Sequence, residues 1–282
     1  MDKHQDLYDK VIDFAKNNSH IRLVEMNGSR VNPKIEPDDF QDFDMVFYVD
    51  DYKTFMSHDH DFIDRFGEIL IMQTKDDQVP EQGYEKDWYI YLIQFLDGTR
   101  LDLTIMGIDD FDPSFEEDSL SKIVLDKDNH HRDHSPNEST YYVTQPTKKK
   151  FSMTVNEFYW LCPYVGKGLA RNHIFYALKH LDIIRNQLEY MIDWWVGMNY
   201  DYQISVGKGK HRYDRFLPKK WFDTYKKSYV RANIDDIWTT LFQVIDLFDV
   251  IALDIQKEFL FDYDTFMKPK MIDFLKEHYK VT

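Results

Sequence analysis

The chain has 282 residues with 43% hydrophobic and 16% aromatic side chains, enough to bury a core in one large or two modest domains. Only 10 glycines and 9 prolines exclude a repetitive or extended disordered protein, and a formal net charge of −15 (35 Lys+Arg against 50 Asp+Glu) opposes binding to a polyanion. The same acidity concentrates cationic small molecules at the surface, although it also serves solubility alone.

A helix is expected first, with Leu7, Val11, Phe14 and Ala15 on one face. Residues 21–26 read as a short strand ending at Asn27-Gly28-Ser29. Further strands are expected at 45–49 and 68–72. Trp88–Leu96 and Arg100–Met106 are both β-like, and Asp97-Gly98 between them signals a hairpin. Alternation then sends Leu101, Leu103 and Ile105 one way, Asp102 and Thr104 the other. From Asp126 to the run Lys148-Lys149-Lys150 the chain is polar, which predicts a loop and domain junction with a solvated lysine patch. Helices are expected at 152–161, then, after a break at Pro163, on to about Met198, and near 219–228, 233–258 and 266–279. These elements predict an α+β protein with a mixed-sheet half (1–146) and a helical half (147–282).

The single cysteine, Cys162, excludes an intrachain disulfide and reads as a buried, inert thiol. The N-terminus carries no basic segment leading into an apolar one, and no window is long and apolar enough to span a bilayer. A cytoplasmic location with no membrane partner is the expectation.

One constellation carries chemistry. Gly28-Ser29-Arg30 is followed fourteen residues after Gly28 by Asp42-Phe43-Asp44, and later by Asp102 on its own strand. Asp42 and Asp44 at period two project from one face, where two carboxylates can hold a hard cation such as magnesium. A third carboxylate from another strand would complete a two-metal site for an in-line displacement. Gly28 permits close backbone approach to a phosphate, and Ser29 can donate to its oxygens. Asp-x-Asp alone means little, since it recurs at Asp110/Asp112, Asp59/Asp61, Asp126/Asp128 and Asp262/Asp264. Only Asp42 and Asp44 combine an upstream Gly-Ser with a following apolar strand, and a solvated acidic loop is the alternative.

Asn27-Gly28-Ser29-Arg30 and Phe40-Gln41-Asp42-Phe43-Asp44 together resemble the signature of the nucleotidyltransferase superfamily, and most closely the aminoglycoside 6-adenylyltransferases, also called streptomycin adenylyltransferases. The likeness continues through Leu101-Asp102-Leu103-Thr104, Asn156-Glu157-Phe158-Tyr159-Trp160, Tyr164-Val165-Gly166-Lys167 and Ser205-Val206-Gly207-Lys208. It implies a nucleotidyltransferase-fold domain followed by a helical bundle, and transfer of AMP from ATP to a hydroxyl of streptomycin, the 6-hydroxyl. By the same resemblance Asp42, Asp44 and Asp102 are the metal carboxylates and Lys167 meets the nucleotide phosphates; with two magnesium ions in place, Ser29 and Arg30 are expected to grip the β- and γ-phosphates. Some relatives carry a general-base glutamate four residues before that lysine. Here Pro163 stands in its place, so a carboxylate of the metal site must take the role. Lys208, in the basic and flexible 207–210 segment, is a second candidate for the pyrophosphate, or an ordinary surface residue.

Two further clusters are weighed and set lower. His130, His131 and His134 beside Asp133 are zinc-like types in a polar loop with no enforced fourth ligand. Tyr84, Glu85, Asp87 and Trp88 could cradle a guanidinium or merely lead into a strand. The rival functions are a nucleotidyltransferase acting on another small molecule, a tRNA or a protein hydroxyl, and a non-catalytic nucleotide-binding regulatory relative. The acidic balance disfavours RNA, and three intact carboxylates disfavour a decayed site.

Overall fold

The computed structural model describes residues 2–57, 60–77, 88–129 and 134–279. It falls into two compact units, Met1–Thr140 and Tyr141–Thr282.

The first unit opens with α1 (Lys3–Asn17), capped by the Asp2 carboxylate, which accepts from the His4 amide. Leu7, Val11, Ile12 and Ala15 make its buried stripe. β1 (Ile21–Asn27) runs into a 3-10 turn over Gly28–Val31, and a loop returns to β2 (Phe43–Val49). After the short α2 (Tyr52–Met56) come β3 (Ile69–Thr74), β4 (Trp88–Phe95), β5 (Arg100–Gly107) and β6 (Ser121–Asp126). The order across the sheet is β3-β4-β5-β2-β1-β6. The central pair β2–β5 is parallel and every other pair antiparallel, so the sheet is mixed.

On one face α1 and α2 cover Phe43, Met45, Phe47 and Val49 of β2 with Leu101, Leu103 and Ile105 of β5. Each such fully buried side chain contributes roughly 1.5–3 kcal/mol. The opposite face carries a small apolar cluster of Leu23, Val46 and Tyr48, and at its other end the polar groups Asp44 and Asp102. The β4–β5 hairpin turns at Asp97-Gly98, where Gly98 has φ +87° and Asp97 Oδ1 accepts from the Thr99 amide and hydroxyl.

The second unit is helical: α3 (Lys148–Ala170), α4 (Ile174–Asn199), α5 (Tyr213–Phe216), α6 (Lys219–Lys227), α7 (Ile234–Phe259) and α8 (Met267–Tyr279). Its core is built on α3, α4 and α7, with Phe158 and Phe248 stacked at 3.6 Å between ring centroids. Among the described residues no helix is long and apolar enough to cross a membrane.

The structure departs from the sequence reading at three points here. Pro163 does not break the helix: α3 runs through it to Ala170, and the interruption comes at Arg171-Asn172-His173, where Asn172 takes φ +57°. Val155, Phe158, Leu161, Cys162, Val165 and Leu169 pack α3 into the core on both sides of the proline, so packing holds the helix through the one missing backbone donor. The lysine run is the first turn of α3 rather than loop, because Thr147 caps it by accepting from the Lys150 amide. And β6 is a strand that the sequence reading did not anticipate, ending where the polar connection begins.

Candidate functional site

Asp44 of β2 and Asp102 of β5 are direct partners in the parallel ladder, so their side chains leave the same face of adjacent strands, about 4.8 Å apart in backbone. Asp42 lies one residue before β2, not on it, and joins them through Arg100. The Arg100 fork binds both oxygens of Asp102, Nε at 2.8 Å and Nη2 at 2.9 Å, and its Nε stands 3.6 Å from Asp42 Oδ2. The bond to Asp102 raises the Arg100 pKa above its ordinary value, more than burial lowers it.

Above this face the backbone turns at Gly28, whose φ is +77° and whose amide donates to the Leu120 carbonyl at 3.0 Å. A Cβ built on Gly28 would lie 2.4 Å from Asp44 Oδ2, so only glycine lets the loop close over that carboxylate. Ser29 is half-buried, and its carbonyl accepts from the Asn32 amide and Gln41 Nε2.

Arg30 is turned inward. It donates from Nε to the Asp42 carbonyl at 3.0 Å and from Nη2 to the Gln41 carbonyl at 2.6 Å, contacts His4 Nδ1 at 2.8 Å, and stacks 3.7 Å above the Phe43 ring. Burial lowers its pKa most, while Asp2, Asp42, Asp38 and Asp44 raise it; arginine remains a cation throughout. In this arrangement Arg30 fixes the backbone that presents Asp42.

Deeper on the same face, Glu25 of β1 is buried and accepts from the Tyr48 hydroxyl at 2.8 Å. With the Asn27 carboxamide nitrogen turned toward it, Asn27 donates to Glu25 Oε1 at 3.0 Å. Burial pushes the Glu25 carboxyl up from the ordinary range, against the lowering effect of bonds from Ser121 and Tyr48.

The three aspartates supply hard oxygen donors of the kind a divalent ion such as magnesium takes. As they stand, Asp102 has both oxygens committed to Arg100, and among the described residues no three His, Cys, Asp or Glu side chains converge to hold a metal.

In the second unit, Lys167 lies on α3 one turn after Pro163 and both line a cavity of about 540 Å3 walled by Tyr159, Trp160, Tyr164 and Tyr263. The Lys167 ammonium stands 5.8 Å from the Tyr164 ring. Lys208 is exposed on a single 3-10 turn, Lys208–Lys210; it is Lys210 that is anchored, by Asp193 at 2.5 Å. Tyr213 donates to the same carboxylate at 2.6 Å.

The other aspartate pairs that the described residues include serve local structure. Asp112 accepts from the Ser114 amide and hydroxyl, Asp128 pairs with Arg22, Asp262 pairs with Lys148, and Asp264 caps the Phe266 amide and pairs with Lys270. His134 stacks on Phe115 at 4.2 Å and bonds the Ser119 carbonyl, while His130, His131 and Asp133 lie outside the described residues. Tyr84, Glu85, Asp87 and Asp59 lie outside them too, and Trp88 packs under the Lys75 ammonium at 4.6 Å. Cys162 is buried and donates to the Phe158 carbonyl.

Neither Arg100, named only as the start of a strand, nor Glu25 is a site residue in the sequence reading. Arg100 was within reach of it, because period two places it beside Asp102 on the polar face of the same strand. Glu25 had no such signal, since only the fold shows it buried.

Two carboxylates in register on neighbouring strands, with a third at the strand entrance and a glycine turn closed over Asp44, form one acidic cluster. The comparisons place the chain among adenylyltransferases. The family model described as streptomycin adenylyltransferase matches residues 1–278. The chain is 34% identical over 265 residues to an aminoglycoside 6-adenylyltransferase of Campylobacter jejuni, covering 93% of this chain and 91% of the relative. It is 36% identical over 254 residues to one of Bacillus subtilis (strain 168), covering 88% of each. A crystal structure of an aminoglycoside 6-adenyltransferase from Bacillus subtilis aligns over 98% of this chain and 97% of its own, with 28% identity and a TM-score of 0.48. The chain belongs to the streptomycin adenylyltransferase family.

Proposed function

We propose that the protein transfers AMP from ATP to a hydroxyl of an aminoglycoside, the 6-hydroxyl of streptomycin, and releases pyrophosphate. The observation that carries the reading is the in-register pair Asp44 and Asp102 with the Gly28 backbone closed over Asp44. The relatives' names supply the acceptor class, and the net charge of −15 favours a cationic acceptor.

In this reading residues 1–146 form the catalytic domain and 147–282 the helical substrate- and nucleotide-binding domain. Asp42, Asp44 and Asp102 would hold magnesium, two ions in this reading, whose chemistry would be to offset the triphosphate charge and polarise the α-phosphate. Gly28 and Ser29 bring backbone and hydroxyl donors to the phosphates. Arg30 acts as a positioning residue, because the Asp42 and Gln41 carbonyls hold it. Asp102 takes the acceptor's hydroxyl proton as its oxygen bonds the α-phosphorus and the bond from that phosphorus to the pyrophosphate oxygen breaks. Lys167 and Lys208 meet the phosphate charge. Most of the acceleration is positioning and electrostatics. The reaction draws on cytoplasmic ATP.

Incubation with ATP, magnesium and a panel of aminoglycosides, followed by mass spectrometry, tests the proposal. Streptomycin should gain one AMP and kanamycin none. Modified kanamycin beside untouched streptomycin overturns the acceptor but keeps the reaction class, and no adduct on any member overturns the reaction.

A further inference from the structure

Arg100 precedes Asp102 by two residues on β5 and therefore shares its sheet face. Its guanidinium takes both Asp102 oxygens and reaches Asp42 as well, so one cation spans two of the three carboxylates assigned to the divalent ion. The arrangement has an electrostatic reason. Asp44 faces Asp102 directly across the ladder with Asp42 close by, and so many anions together repel one another unless a positive charge lies among them. A guanidinium and a divalent ion cannot both use the oxygens of Asp102.

We propose that Arg100 is the resident counter-cation of this site. It holds Asp42 and Asp102 in place before the nucleotide binds, and it must release Asp102 before a divalent ion is taken. The ion is then taken with the nucleotide and not ahead of it, because the incoming phosphates give the guanidinium a new partner of the geometry its fork prefers. Arg100 is 40% exposed against 19% for Asp102, which leaves the arginine free on its solvent side to swing out while the aspartate stays seated on its strand. The proposal rests on the metal reading given above, and its test separates the two.

The measurement is Mn2+ binding, read from the free-ion EPR signal without ATP and, with ATP, against a protein-free blank of Mn2+ and ATP, in the wild-type chain, Arg100→Gln and Arg100→Lys. Gln keeps hydrogen-bonding capacity and removes the charge. Losing a positive charge within about 4 Å of two ligands should tighten nucleotide-free Mn2+ binding about ten-fold or more. With ATP present, the wild-type chain should bind Mn2+ well and the gap between the two chains should narrow. Arg100→Lys keeps the charge but not the fork, and should show a smaller gain. If Arg100→Gln does not melt cooperatively, Arg100→Lys carries the test, and no gain in that variant overturns the proposal. Wild-type chain that binds Mn2+ with ATP, beside an Arg100→Gln chain that shows no gain without it, overturns the role of Arg100 and leaves the metal reading standing. No Mn2+ binding in any chain under any condition overturns both.

Discussion

Replacing Gly28 by alanine separates backbone strain from damage to the site. The new Cβ would sit 2.4 Å from Asp44 Oδ2, where ordinary van der Waals contact starts at 3.4 Å, so loop or carboxylate must yield by about 1 Å. The φ of +77° adds a left-handed penalty of about 1–2 kcal/mol for a residue with a Cβ. Gly98→Ala is the matched control in the same unit: its φ is +87°, but its Cβ would meet only the Lys3 ammonium, at 3.4 Å. Both variants should therefore melt a few degrees early. Gly28→Ala should also lose about 100-fold in turnover, the scale of loss for a 1 Å misplacement of a reacting group. Pyrophosphate release under saturating ATP and acceptor reads turnover, and a calorimetric scan reads stability. Gly28→Ala with turnover within a few-fold of Gly98→Ala would show that the Asp44 position does not govern the reaction.

Four further outcomes are expected. Asp42→Asn or Asp44→Asn should abolish pyrophosphate release in a folded protein, while Asp110→Asn should be nearly silent; equal losses would mean that the wrong pair was chosen. Lys167→Ala should weaken ATP binding in a calorimetric titration more than Lys149→Ala, because Lys149 is an exposed residue of the first turn of α3. Glu25 has a raised folded pKa, so its favourable contribution is complete below its unfolded value near 4.5 and is lost as pH rises through the folded value. Melts of Glu25→Gln against wild type, taken at rising pH from below 4.5, should thus favour the variant increasingly until the folded value is passed, and a constant difference would refute the buried-acid account. Cys162, buried with its thiol pushed up by burial, should stay unlabelled by a thiol reagent until the protein is unfolded, and fast native labelling would contradict its placement.

Much of the sheet was legible because its signals are local. The alternation Leu101, Leu103, Ile105 against Asp102 needs only period two, and Asp97-Gly98 names its own turn. The helix stripe of Leu7, Val11 and Ala15 is read the same way. The misses come where tertiary contacts decide. Residues 121–126 mix Ser121, Lys122 and Asp126 with three apolar residues, and they become a strand because the free edge of β1 accepts them. Pro163 forbids one hydrogen bond, which local rules treat as an end and a packed three-helix core tolerates. In the site, residue types pointed to the carboxylates, but direction is a property of the fold. Arg30 reads as a phosphate ligand in sequence and turns to backbone carbonyls in space. Arg100 passes for one more surface charge until the ladder sets it on Asp102.

The parallel join of β2 and β5 has a bearing on how the site responds to local opening. Its two flanking pairs, β4 with β5 and β1 with β2, lie between it and the sheet margins, so fraying at β3 or β6 leaves the Asp44–Asp102 spacing untouched. Amide protons of Met45 and Leu103 should accordingly exchange only through the largest opening of the first unit, while those of β3 exchange early. The Asp44–Asp102 spacing is thereby tied to the most protected layer of the sheet. Substitutions at the margins can erode its stability for some distance before the two carboxylates move, whereas a defect beside the central join reaches the pair and the fold at once.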